Sequence, residues 1–306
     1  MKILVFGSNG LVGNSLKRIL TEDKFYSKVF FSKRSDTNLF SYNETEKILL
    51  DYQPDLLINA AAKVGGINAN NSQRTSFLIE NMKINLNILE ASTKLQNIKI
   101  INLGSSCIYP LNAENPIPES SFMSGKLEPT NSPYAMAKLT AIELGNAINS
   151  EYGFSVVNLM PTNLYGPNDN FSPEFSHVIP GLLARMNKAV ENNKKEFSIW
   201  GTGKPKREFL YVDDLALAIK FIIKNNINDE LLNIGSGEEV SILELAEIIK
   251  NIVGFEGKIT FNKNMPDGNP RKLLDSSKIN NYGWSPKISL KDGLIKTYNW
   301  YKKLIN

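Results

Sequence analysis

The position of the first glycines constrains this chain more than any other feature. Residues 3–6 form a short β-branched and aromatic run, and Gly7-Ser8-Asn9-Gly10-Leu11-Val12-Gly13 follows it directly, leading into the amphipathic segment 11–20. A strand that turns on glycines into a helix leaves free backbone N–H groups at the positive end of the helix dipole. A pyrophosphate is attracted to that point. Glycines also mark ordinary turns, so it is the placement between a first strand and a first helix that gives this loop its meaning.

The same alternation continues down the chain. Residues 29–31, 56–59, 98–103 and 156–160 read as strands, several apolar enough to be buried on both faces. Residues 43–52 and 82–95 have helical spacing, with Asn43 and Glu46 placed like a capping box. Strands alternating with helices imply right-handed βαβ units and a doubly wound parallel sheet of the α/β class. After Gly166 the pattern loosens. Gly, Pro and Asn cluster at 166–173, 201–205 and 266–270, while 212–224 and 242–253 still read as helices and 231–234 as a strand. The expected division is a nucleotide-binding domain at 1–165, with 209–237 returning to it, and a smaller α/β substrate-binding domain from 166–208 and 238–306. No internal repeat is visible.

Composition narrows the function classes. Of 306 residues, 42 % are hydrophobic and 22 % charged, as in an ordinary globular protein. No run approaches the ~18 apolar residues of a membrane span, and the apolar start is too short for a secretory signal. The single cysteine, Cys107, excludes an internal disulfide, so a reducing cytoplasm is the expected location. A net charge of +4 without an aromatic-interleaved basic stripe argues against nucleic acid and suits a small anionic ligand. The Lys/Asn runs at 191–196 and 224–229 read as solvated loops.

The end of the second strand discriminates between dinucleotides. An acid there would bond a free ribose 2′-hydroxyl. This chain has Ser32-Lys33-Arg34, with Asp36 two residues beyond, and two cations favour a 2′-phosphate and hence NADP. The catalytic chemistry points to Tyr134 and Lys138, four residues apart on a helix begun by Ser132-Pro133. A nearby ammonium brings a phenol into range for proton exchange. Tyr298 and Lys302 repeat the spacing in what reads as a surface helix. Only the first pair follows a Gly104-Ser105-Ser106 turn at a strand end, where a serine can bond a substrate oxygen. Cys107 and the only histidine, His177, would ordinarily be unremarkable, but Cys107 lies two residues from that serine.

Several segments resemble the GDP-L-fucose synthase family of extended short-chain dehydrogenase/reductases over nearly the whole length. They are Ala60-Ala61-Ala62-Lys63-Val64-Gly65-Gly66-Ile67, Gly104-Ser105-Ser106-Cys107-Ile108-Tyr109-Pro110, Leu127-Glu128-Pro129-Thr130 and Pro161-Thr162-Asn163-Leu164-Tyr165-Gly166-Pro167. Others are Trp200-Gly201-Thr202-Gly203, Arg207-Glu208-Phe209-Leu210 and Pro270-Arg271-Lys272-Leu273-Leu274-Asp275. The resemblance implies a Rossmann-type fold, a homodimer, and NADPH-dependent reduction at C4 of a GDP-linked keto sugar with epimerisation at C3 and C5. By the same resemblance, Tyr134 gives the proton to O4, Lys138 binds the nicotinamide ribose and Ser105 holds the substrate oxygen. Cys107 and His177 exchange protons at C3 and C5, both acidified by the C4 ketone.

It further implies that Gly7 to Gly13, Lys33, Arg34, Leu103, Gly104, Ser105, Ser106, Lys138, Pro161, Thr162, Asn163, Leu164 and His177 line the cofactor site. Arg185, Trp200, Arg207 and Asp267 would hold the GDP-sugar. Asn9 stands where the family often has a basic residue, which leaves Lys33 and Arg34 to carry the 2′-phosphate. Three other readings stay open at this point: a GDP-4-keto-heptose 4-reductase without epimerase activity, a UDP-sugar 4-epimerase and a non-catalytic NADP-binding sensor.

Overall fold

The computed structural model describes residues 1–23, 26, 28–173, 175–265 and 267–305. In chain order, its first half runs β1 (Lys2–Phe6), α1 (Leu11–Thr21), β2 (Lys28–Phe31), α2 (Tyr42–Tyr52), β3 (Leu56–Asn59), α3 (Ile67–Ser72), α4 (Arg74–Ser92), β4 (Lys99–Leu103), α5 (Ser132–Tyr152) and β5 (Ser155–Pro161). It continues through β6 (Asn163–Tyr165), α6 (Val178–Glu191), β7 (Glu196–Trp200), β8 (Lys206–Tyr211), α7 (Val212–Lys224) and β9 (Leu231–Ile234). The last elements are β10 (Glu239–Ser241), α8 (Ile242–Val253), β11 (Lys258–Asn262), β12 (Arg271–Lys272), α9 (Ser277–Asn281) and α10 (Leu290–Ile305).

The main sheet is parallel throughout, in the order β2-β1-β3-β4-β5-β9. β1 shows why residues 3–6 are continuously apolar. Ile3 and Val5 pack on one face with Leu16 and Leu20 of α1 and Leu215 and Ile219 of α7. Leu4 and Phe6 pack on the other with Ile88 and Leu89 of α4 and Ala141 of α5. Alternate residues serve opposite layers, so no position is free to be polar. The strand order reverses between β1 and β3, so the loops after β1, β3 and β4 open onto one crevice, the usual ligand position in such sheets.

A second cluster forms around β8, which pairs with β6 and β12 in parallel and with β10 antiparallel; β7 and β11 make a separate parallel pair. Leu182, Leu183 and Met186 of α6, Ile199 of β7, Leu245 and Ile249 of α8 and Leu294 of α10 form its core.

Four local readings are corrected by the structure. The cap of α2 is Ser41, whose hydroxyl accepts from the Glu44 N–H, so the Ser41/Glu44 pair starts the helix instead of Asn43/Glu46. α4 begins eight residues earlier than its apolar spacing suggests, because Asn81 and Asn85 occupy inward positions and mask the period. α6 was hidden by Pro180 and Gly181. The proline falls in the first turn, where a missing N–H costs little. Tyr298 is not on the surface: it is 7 % exposed, and its hydroxyl donates to Oδ1 of Asn187 at 2.7 Å. Of the 266–270 cluster, Pro266 lies outside the described residues.

Candidate active site

The glycines after β1 do different jobs. Gly7 has φ +79°, and a Cβ there would overlap the Ala60 backbone beyond β3. A Cβ on Gly13 would overlap the Gly7 carbonyl, so this residue lets α1 close against the loop. Gly10, the N-cap of α1, is exposed, and a Cβ there would meet only the Gly7 oxygen at 3.5 Å. The space in front of Gly10 is therefore left open by the protein and could hold a diphosphate. No side chain caps α1 and no acid sits in its first turn, leaving the N–H groups around Leu11 and Val12 to an anion.

Ser8 is turned inward and donates to the Ser32 carbonyl at 2.7 Å, which holds the end of β2 against the glycine loop. Its hydroxyl is therefore spent on the fold, whereas Asn9 is exposed at the mouth. Lys33 and Arg34 are exposed in a turn closed by Asp36, whose carboxylate accepts from the Lys33 N–H at 2.8 Å. The acid near the ribose position is thus already engaged. The Arg34 guanidinium lies over the Phe40 ring, 5.6 Å from its centroid. Two exposed cations beside an occupied acid fit a dinucleotide bearing an additional phosphate.

At the end of β4, the Gly104 N–H donates to the Leu159 carbonyl at 2.9 Å, and a Cβ there would collide with Met160. The next residue, Ser105, caps a single 3-10 turn at Ser106–Ile108, its hydroxyl accepting from the Cys107 N–H at 3.2 Å. Tyr134 lies in the first turn of α5, and its ring meets the edge of Phe77 at 6.3 Å. Burial pushes the Tyr134 phenol up, the nearby Cys107 adds to the rise and the Ser105 hydroxyl opposes it. Tyr134 therefore carries its proton at neutral pH, the state a proton donor needs. Lys138, one turn on, is 2 % exposed and donates to the Leu103 carbonyl at 2.6 Å. Its Nζ is 5.9 Å from the Tyr134 ring centroid, and burial lowers its pKa to about 8.

His177 is the N-cap residue of α6. The loop after β3 presses on its neighbours: the Gly66 N–H donates to the Phe175 carbonyl at 3.0 Å, and a Cβ on Gly66 would overlap the Ser176 oxygen. Gly65 faces Phe77, the ring that meets Tyr134, so the histidine belongs to the same neighbourhood. It is solvent-accessible within a cleft crowded by protein, and the desolvation there lowers its imidazole pKa. Among the described residues no hydrogen bond joins His177 to Cys107. Sulfur is approached instead by Asn131 Nδ2 at 3.6 Å and Lys272 Nζ at 3.5 Å.

Thr162 and Asn163 link the two halves, donating from their side chains to the Glu208 carbonyl at 3.2 and 2.8 Å. Pro161 ends β5 beside them, and Leu164 packs on the main-sheet core. Further out, Arg185 lies over Phe197 and Trp200, 5.0 and 5.8 Å from their centroids. Asp267 accepts from the Thr202 N–H at 2.7 Å and hydroxyl at 2.9 Å, so it tethers the turn after Trp200. Burial lowers the Arg207 pKa while Cys107, Asp267 and Glu128 hold it up, and its guanidinium lies beside Gly268, next to the Asp267 turn.

Sequence reasoning gave no role to Asn131, Lys272, Glu128 or Glu208. The last is a fully buried carboxylate accepting from the N–H groups of Gly237 at 2.8 Å and Leu274 at 3.1 Å, and it ties together the strands that present Arg207 and Lys272. Glu128, Glu208 and Lys272 lie inside the motif segments above, and that was the one available signal.

A parallel sheet reversing at a glycine loop, with a Tyr-Lys helix set against the end of β4, defines a nucleotide-dependent oxidoreductase or epimerase. The chain belongs to the NAD dependent epimerase/dehydratase family, whose model matches residues 3–235. Its relatives there include GDP-L-fucose synthase 1 of Arabidopsis thaliana, 47 % identical over 302 residues that cover 99 % of this chain and 93 % of the relative. Among solved structures, a GDP-L-fucose synthetase from Naegleria fowleri bound to NADP is similar with a TM-score of 0.89 and 29 % identity, over 99 % of this chain and 94 % of that one. A GDP-6-OMe-4-keto-L-xylo-heptose reductase from C. jejuni has a TM-score of 0.90 and 31 % identity, over 99 % and 98 %.

Proposed function

We propose that this protein reduces C4 of a GDP-linked 4-keto-6-deoxyhexose with NADPH and epimerises C3 and C5 in the same pocket. The observation that carries the reading is that Cys107 sits at the start of the Tyr134 helix: its N–H donates to the Ser105 hydroxyl at 3.2 Å, and its sulfur is met at 3.6 Å by Asn131, the N-cap three residues before Tyr134. Groups suited to proton exchange at carbon and to proton donation at oxygen thus share one floor. Bound NADPH supplies the hydride. Tyr134, kept protonated by burial, gives its proton to O4; Ser105 holds that oxygen; Lys138 bonds the nicotinamide ribose from its anchor on Leu103. Cys107 and His177 remove and return protons at the carbons flanking the ketone.

Gly7, Ser8, Asn9, Gly10, Leu11, Val12 and Gly13 receive the diphosphate of the cofactor, and Lys33 and Arg34 its 2′-phosphate. Arg185, Arg207 and Trp200 take the GDP-sugar, with Asp267 fixing the turn beside Trp200. In this reading residues 1–165 with 209–237 bind the cofactor, and 166–208 with 238–306 bind the sugar nucleotide. The enzyme works as a homodimer in the cytoplasm. Exposed Ile79 and Leu86 on α4 and Met136 on the adjoining α5 support the dimer, and among the described residues no helix is long and apolar enough to cross a membrane.

A heptose reductase remains the second reading because of the similarity to the C. jejuni enzyme, but 47 % identity to a fucose synthase against 31 % favours the hexose. The test is to incubate the protein with NADPH and either GDP-4-keto-6-deoxymannose or a GDP-4-keto heptose. Oxidation of NADPH with the hexose and an L-configured product supports the proposal. Turnover of the heptose alone, without inversion, overturns it.

A further inference from the structure

Asn131 stands at the N-cap of α5, where an asparagine ordinarily lends its side-chain oxygen to a helix N–H. Here its side chain makes no bond to the helix. Position N2 is Pro133, which has no N–H to offer. The turn is held instead by Glu128, whose carboxylate accepts from the N–H groups of Thr130 and Asn131 at 3.1 Å and from the Thr130 hydroxyl at 2.6 Å. The Asn131 amide is thereby released from capping and lies against Cys107.

Its two ends then differ. Nδ2 donates to the Cys107 sulfur at 3.6 Å, while Oδ1 is buried and has no partner among the described residues. A buried acceptor without a donor is costly, and native proteins keep one chiefly where something else supplies the bond. Lys272, 3.5 Å from the sulfur on its own approach, shows that the thiol is held by donors from distant parts of the chain. Arg207 lies close by, in register with Lys272 on the neighbouring strand.

We propose that Asn131 is a specificity-determining residue that registers the sugar against the thiol. Oδ1 accepts a hydroxyl of the GDP-linked sugar while Nδ2 fixes the sulfur, so the carbon beside the ketone is presented to Cys107. The inference rests on the reading of Cys107 as the group that exchanges protons at carbon. A sugar lacking that hydroxyl leaves Oδ1 unpaired and loses the register.

The test uses Asn131→Leu and Asn131→Asp with GDP-4-keto-6-deoxymannose and its 2-deoxy and 3-deoxy analogues, after confirming that both variants melt near the wild-type temperature. Asn131→Leu is expected to raise KM for the parent sugar about 10–100-fold, the size of an orphaned hydrogen bond. For one of the deoxy analogues the same substitution should change KM by less than about threefold, since the bond is already absent. Asn131→Asp retains an acceptor but no donor for sulfur. It should keep KM for the parent sugar near wild type while deuterium uptake from D₂O into the sugar falls at least about tenfold. Equal KM losses for the parent and both analogues would overturn the proposal, as would undiminished deuterium uptake in Asn131→Asp where the wild type takes up deuterium.

Alkylation of Cys107 by iodoacetamide in the protein alone reads the hold on sulfur independently of turnover. A rate changed severalfold in both variants supports the proposal, and an unchanged rate contradicts it. If the wild type oxidises NADPH with the keto sugar but takes up no deuterium, while alkylation and KM respond to Asn131 as expected, the reading of Cys107 chemistry fails and the register stands.

Discussion

The Nζ of Lys138 lies 2.6 Å from the carbonyl oxygen of Leu103, so the lysine of α5 is tied to the last residue of β4. That bond ties the helix to the strand end, and Tyr134, one turn earlier on the same helix, lies beside Ser105. With burial lowering its pKa to about 8, Lys138 is charged below that pH and neutral above it. The contribution of its charge is therefore present on the acid side and lost as pH rises through about 8. The value of kcat/KM for NADPH, which reports the free enzyme, should show an alkaline limb there. Lys138→Arg, whose charge does not titrate in this range, should abolish the limb even if the variant is slower. A flat wild-type profile to pH ~10, where an ordinary lysine titrates, would contradict this.

Tyr134→Phe should lower turnover about 10²–10⁴-fold, the usual contribution of a general acid, while leaving NADPH binding nearly intact. Tyr298→Phe repeats the chemical change in a buried site with a different purpose. It breaks the 2.7 Å bond to Asn187 and should cost about 1 kcal/mol of stability with no loss of turnover. Steady-state kinetics and thermal melts of both variants check the pair. Equal kinetic losses would mean that the two Tyr-Lys repeats had been wrongly distinguished.

Gly10 and Gly13 should respond oppositely to alanine. At Gly10 the protein itself leaves room, so Gly10→Ala should melt within a few degrees of wild type yet bind NADPH more weakly by about tenfold or more, because the methyl enters the diphosphate space. At Gly13 the methyl overlaps backbone of the Gly7–Ser8 turn, and Gly13→Ala should lose about 1–3 kcal/mol of stability. Isothermal titration and thermal melts separate the two.

Arg34→Glu should weaken NADPH by roughly 1.5–3 kcal/mol, the worth of a charge-assisted contact, and leave NADH almost unaffected. Titration of both cofactors tests this. Equal catalytic efficiency with NADPH and NADH in the wild type would remove the 2′-phosphate from the site.

The sheet was legible in the sequence because its inner strands are buried on both faces and so written as largely apolar runs, whereas the edge strand β2 is only partly buried; Leu56–Asn59 and Leu231–Ile234 coincide with their runs. The small sheet was not, since β10 and β12 are three and two residues long and carry no period. Tyr298 reads as a surface residue because its hydrogen-bond partner is 111 positions away. The contacts on sulfur failed to show for the same reason: Asn131 and Lys272 lie 24 and 165 positions from Cys107 and meet it only through the fold. Tyr134, Lys138 and Ser105 could be picked out because strand end and helix start are local signals.

The proposal that reduction and epimerisation share one pocket is tested most directly by mass spectrometry of GDP-4-keto-6-deoxymannose after incubation with the protein in D₂O without NADPH. The expected result is deuterium at C3 and C5 with the wild type and none with Cys107→Ser, which should still oxidise NADPH with an already epimerised ketone. A wild type that oxidises NADPH with its sugar but incorporates no deuterium would contradict it and leave a reductase alone.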